Sequence, residues 1–156
     1  MEAYEEAQEK AKKHLKIADH MLTQSYPIVK DPKLLVTVIE NLFLALESSM
    51  SALLYYDRLY KRIPPFHDGF DSKLEIFRSR CNRRYNFKNN YPALIREIKE
   101  IISEHKKAPM EFSRKGQFVI CSDNYSTKSI TVEKMKEHIA QAKLFIADME
   151  RMVERK

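Results

Sequence analysis

Between Asp31-Pro32 and Pro64-Pro65, apolar residues recur at alternating steps of three and four for more than three heptads. The face runs Leu35, Val38, Leu42, Ala45, Ser49, Ala52, Tyr56 and Leu59. A helix brings residues at that spacing onto one side, and a seam held so long belongs to a helix packed along its length. Leu34, Phe43, Leu46, Leu53 and Leu54 widen the stripe, which predicts neighbours on several sides. The flanks agree: Asp31 suits an N-cap, Pro32 loses nothing at the first helical position, and Pro64-Pro65 cannot continue the helix. The spacing therefore predicts a central rod about 44 Å long.

Four further segments carry helical periodicity. Over about residues 2–25, Ala7, Ala11, Leu15, Ala18 and Leu22 share one face, and Tyr26-Pro27 is expected to end that helix. Ser72 and Glu75 form a capping-box pattern ahead of Leu74, Phe77, Cys81 and Tyr85. Asn89-Asn90-Tyr91-Pro92 breaks that helix and opens the next, with Leu94, Ile98, Ile101 and His105 in phase. The last helix is expected from near Thr131, with Met135, Ile139, Ala142, Ile146, Met149 and Val153 inward. Residues 110–128 lose the helical period. Phe118-Val119-Ile120-Cys121 reads as a short strand, with turns at Lys115-Gly116 and Asp123-Asn124. The expected architecture is all-α: an up-and-down bundle of about five helices, with a short β-hairpin-like insertion before the last, over 1–156 as one domain.

Composition removes several function classes. Two glycines in 156 residues argue against nucleotide-binding α/β folds and many-stranded β folds, and no G-x-G-x-x-G or Walker-A loop occurs. Cys81 and Cys121 stand apart with no zinc-like spacing, so reduced thiols are expected. The acidic opening MEAYEEAQEK is unlike a secretory or transit peptide, and no apolar run approaches the roughly 18 residues of a membrane span. The expectation is a soluble cytoplasmic chain without a membrane role. No metal or cofactor is expected either. Glu-x-x-His and His-Glu-x-x-His are absent, and His14 and His20 are too far apart in phase to share a helix face. Glu40 and Glu47, one heptad apart, read as a polar flank of the long helix, or, if buried, as a metal-binding or acid–base pair.

The net charge of +6 is unevenly spread. Lys73, Arg78, Arg80, Arg83, Arg84 and Lys88 lie within residues 72–90, against Glu75 alone. The run RSRCNRRYNFKNN interleaves these cations with Tyr85, Phe87 and four asparagines. Arg80, Arg84 and Lys88 at steps of four would form one ridge on a helix. Guanidinium groups pair with phosphates bidentately, and aromatic and amide neighbours can stack on or hydrogen-bond to unpaired bases. Arg78, Arg80, Arg83, Arg84, Tyr85 and Lys88 are therefore the candidate nucleic-acid-binding residues. Two plainer readings stand beside this one. The segment can be a solvated face with Tyr85 and Phe87 in the core, or its arginines can answer Glu2, Glu5, Glu6 and Glu9 of the first helix.

In helix order and in texture the chain resembles the HEPN superfamily. The stretches that carry the resemblance are the opening A-x3-A-x3-L-x2-A from Ala7 to Ala18, Glu40-Asn41-Leu42 leading into Ala45-Leu46 and Ala52-Leu53-Leu54, and the last helix with Ala140, Ala142 and Phe145. The resemblance implies a small helical domain that forms a homodimer and binds RNA or a protein partner, in a toxin–antitoxin or RNA-related setting. It also implies the alternative of a metal-independent RNase marked by Arg, four to six residues, then His. Arg62 and His67 alone have that spacing, and they straddle Ile63-Pro64-Pro65-Phe66 between helices; Arg96 and His105 are nine apart and face opposite ways on one helix. A scaffold protein whose arginines meet an acidic partner is the third reading.

Overall fold

The computed structural model describes residues 1–107, 110–114, 117–121 and 127–153. Helix α1 runs as α-helix over Ala3–His20, makes one π turn over Met21–Ser25 and continues as α-helix over Tyr26–Val29. The proline expected to end it lies inside it. Tyr26 N–H donates to the Met21 carbonyl, five residues back, and this widened turn sits immediately before Pro27. A proline in a regular helix collides with the carbonyl four residues earlier and leaves it unbonded; the wide turn relieves that crowding. Thr23 Oγ1 donates to the Asp19 carbonyl at 2.7 Å, filling one acceptor in the altered ladder. The helix stops at Lys30, which is left-handed at φ 55°.

Helix α2, Leu34–Leu59, is the central rod, about 39 Å long. The expected Asp31 cap is displaced: Lys33 is the N-cap and makes no side-chain capping bond, while its N–H donates to Asp31 Oδ1 at 3.0 Å in the turn ahead of the helix. Leu35, Val38, Leu42, Ala45, Ser49, Ala52 and Tyr56 are buried as the seam predicts, but Leu59 is exposed because the helix ends there. Its end is set before the prolines arrive: Lys61 turns left-handed, and Arg62 N–H bonds the Asp57 carbonyl at 2.8 Å. By length and composition α2 is apolar enough to cross a membrane, with a mean hydropathy of 1.4 over its best window; 61% of that window is buried in the bundle. A core position accounts for that composition.

Helix α1 packs most extensively on α2. Ala7, Ala11 and Ala18 of α1, and Ala45, Ser48, Ser49 and Ala52 of α2, are all buried. Small residues on both helices let the backbones approach closely.

Helix α3 begins at Phe70, with Gly69 extended at its N-cap. The Ser72–Glu75 pattern is not used as a cap, because the chain is already helical two residues earlier. It comprises Phe70–Ile76, a second π turn over Phe77–Cys81, and Asn82–Tyr85, closed by left-handed Asn86. Ser79 Oγ donates to the Glu75 carbonyl at 2.8 Å, as Thr23 does in the first π turn. Helices α4 (Tyr91–Lys107) and α5 (Val132–Val153) complete the bundle. The inward face expected for α5 is buried throughout, and Phe145 joins it, stacked on Tyr91 at 4.3 Å.

The expected hairpin is present and extended by a third strand. Strands β1 (Met110–Arg114), β2 (Gln117–Cys121) and β3 (Thr127–Thr131) form an antiparallel sheet in chain order, with Phe118 opposite Ser113 and Ile130. Phe118, Ile120 and Ile130 enter the main core. The turns expected at Lys115-Gly116 and Asp123-Asn124 lie outside the described residues.

His138 of α5 is 4% exposed, and its Nδ1 has no hydrogen-bond partner among the described residues. Burial lowers its pKa below 6.5, reinforced by Lys134 and opposed by Glu97, Gln141 and Glu137. The folded state therefore favours neutral imidazole. Stability is expected to hold above pH ~6.5 and to fall as the pH drops from there toward the folded pKa, since the unfolded chain takes up the proton first. Urea midpoints against pH should show this decline, and His138→Leu should flatten it; an equal decline in the variant would place its origin elsewhere.

Candidate nucleic-acid interface

The C-terminal half of α3 lies against the end of α2 around one carboxylate. Asp57 is fully buried. Its Oδ2 accepts the Cys81 thiol at 3.1 Å, its Oδ1 accepts the Tyr85 hydroxyl, and Arg62 Nη1 lies 3.6 Å from Oδ1. Burial, then the adjacent carboxylate, pushes both the Cys81 thiol and the Tyr85 phenol far above their ordinary pKa values. Cys81 is thus a structural donor with no nucleophilic thiolate near neutral pH.

This arrangement sorts the six candidate residues. Tyr85 belongs to the support: its hydroxyl is committed to Asp57 and its ring stacks on Phe87 at 5.5 Å. The side chain is half-buried, and its hydroxyl and ring both have partners inside the fold. Arg78 is exposed but paired with Glu75 at 2.7 Å. Arg80, Arg83, Arg84 and Lys88 are exposed and have no ion pair among the described residues. No ion pair among the described residues joins α3 to the acidic start of α1, so the second plain reading of the arginines gains no support.

Sequence reasoning missed Tyr60 at this end, and it read Arg62 only as half of an Arg/His spacing rather than as part of this surface. Arg62 stands over the rings of Tyr56 and Tyr60, at 5.5 and 5.4 Å, while holding Asp57. Tyr60 is 55% exposed and offers an aromatic surface beside a guanidinium. The signal was available only in part: Tyr60-Lys61-Arg62 mixes an aromatic with cations, but it follows a helix and lies far along the chain from residues 78–88. Asp57, through Arg62 and Tyr85, brings the two segments together.

The Arg/His spacings do not converge on a catalytic pair. Arg62 is held by Asp57 and two tyrosines, and His67 is exposed on the following loop. Arg96 is exposed, whereas His105 lies edge-on to Phe118 at 5.9 Å. Of the paired carboxylates, Glu40 is exposed and Glu47 binds Lys73.

A second polar constellation lies on another side of α2. Lys73, 6% exposed, donates to Glu47 Oε1 at 3.2 Å and to Ser51 Oγ at 3.1 Å, and Ser51 donates to Glu47 at 3.2 Å. Burial alone would lower the Lys73 pKa, but Tyr55 and Glu47 outweigh it and hold the ammonium above its ordinary value. Lys73 is therefore a fixed cation that cannot serve as a general base at neutral pH. Among the described residues, no three His, Cys, Asp or Glu side chains come together as a metal site. No family model, curated protein or solved structure matches this chain.

Proposed function

We propose that the protein is a HEPN-like helical module that binds single-stranded RNA and does not cleave it. The observation that carries this reading is the set of four exposed cations, Arg80, Arg83, Arg84 and Lys88, on one segment with no ion pair among the described residues. Arg62 and the exposed ring of Tyr60 lie at the neighbouring end of α2. Cations track the phosphates, and an aromatic face beside a guanidinium stacks unpaired bases whatever their sequence. The π turn within the basic segment is consistent with a binding surface, since such turns concentrate at functional sites. A catalytic role has less support, because Arg62 is already committed to Asp57.

Fluorescence anisotropy with a labelled single-stranded RNA tests the reading. Binding is expected to weaken with salt at a log–log slope of about −3, from four phosphate contacts at ~0.7 each. The RNA is expected to be recovered intact. Absence of binding at low salt would overturn the RNA reading, and cleavage would favour the RNase alternative.

A further inference from the structure

Between α1, α2 and the start of α3 lies a cavity of about 480 Å³. We infer that it binds a small zwitterion of the amino-acid class, a molecule carrying a carboxylate and an ammonium together. The volume falls within the roughly 300–1,000 Å³ of small-molecule sites. Its lining balances three carboxylates, Glu6, Glu47 and Asp68, against three cations, Lys10, Arg58 and Lys73. A polyanion such as RNA would be repelled by those carboxylates, so this site is separate from the basic surface on α3.

The charges are also unequally committed, which sets the polarity of the ligand. Lys73 and Glu47 are spent on each other and on Ser51. Among the described residues Arg58 has ring partners alone, Tyr55 at 4.9 Å and Phe66 at 4.7 Å, and Lys10 has no ion pair. These two are the free cations for a carboxylate. Among the described residues Asp68 accepts the Tyr55 hydroxyl alone, at 3.2 Å, and exposed Glu6 has no ion pair, which leaves both for an ammonium. A lone anion or a lone amine would satisfy half of the lining.

The second observation is Ser48. It lines the cavity, is 2% exposed, and its Oγ has no hydrogen-bond partner among the described residues. A buried hydroxyl left unpaired is costly, and native structures rarely keep one without a reason. A polar ligand in the cavity supplies the missing partner. The part-buried Lys73–Glu47 pair agrees, since ion pairs taken out of water are weak sources of stability compared with apolar side chains of similar volume.

Thermal unfolding of the full chain with alanine, glutamine, glutamate and arginine, each at about 10 mM, provides the test, beside propylamine and propionate as the separated halves. At least one amino acid is expected to raise the midpoint by about 3–5 °C, with neither half doing so. Ser48→Ala is expected to remove that rise while leaving the unliganded midpoint unchanged or higher, because it deletes an unpaired oxygen. Arg58→Gln, at a half-exposed position, is expected to weaken the ligand about tenfold or more. The inference is overturned if no amino acid shifts the midpoint, if either half shifts it equally, or if Ser48→Ala keeps the full response.

Discussion

Replacing Asp57 with alanine is expected to cost about 3–5 kcal/mol of folding stability, read as a large fall in the urea midpoint at unchanged slope. The carboxylate is fully buried and serves three partners from two segments, namely Cys81, Tyr85 and Arg62. Its removal leaves the fully buried Cys81 thiol and the half-buried Tyr85 hydroxyl without their acceptor, which costs more than the contacts themselves were worth. Arg62 can turn to solvent and recover part of its loss, since it is one-third exposed. Asp57→Asn keeps the volume and one carbonyl acceptor, and about half the loss is expected. Tyr85→Phe removes one hydroxyl and should cost about 1–2 kcal/mol. A change below about 1 kcal/mol for Asp57→Ala would mean that apolar packing alone fixes α3 on α2. Against a total of roughly 5–15 kcal/mol for a domain, the expected loss leaves the protein marginal.

The second large effect concerns binding. Changing Arg80, Arg83, Arg84 and Lys88 together to alanine is expected to weaken single-stranded RNA binding about 100-fold or more at ~0.1 M salt, and to flatten the salt slope by about 3. All four are exposed and unpaired among the described residues, so the fold should keep its midpoint within about 1 °C. Arg78→Ala is the internal control: its guanidinium is already answered by Glu75 at 2.7 Å, and little loss of affinity is expected. Tyr85→Phe separates support from surface, because it should lower stability and leave RNA affinity unchanged. If the fourfold variant binds as the parent does, the positive segment is a solvated face and the RNA reading fails.

Much of the fold was legible in the sequence because helix periodicity reports burial directly. The faces of α1 and α5 are buried residue for residue as their spacing predicts, and the α2 seam holds from Leu35 to Tyr56. The errors share a physical cause. Pro27 and the Ser72–Glu75 pattern are local signals, and each was overridden by a neighbour: the π turn at Met21–Ser25 made room for the proline, and Gly69 started α3 before Ser72. The third strand was not foreseen. Residues 127–131 are short and carry few apolar side chains, so their pairing with β2 leaves little periodic signal.

The candidate surface divides in the same way. The amino-acid order alone determined that positive charge concentrates in residues 72–90, because charge is a property of composition and needs no fold to be counted. It could not say which cations remain free, since that depends on partners reached across the chain. Tyr85 and Arg62 are 23 residues apart, yet both end on Asp57. Glu47 and buried Lys73 form a part-buried pair over 26 residues. Burial of a polar group is worthwhile only when another segment supplies its partner, and only tertiary packing determines which segment that is.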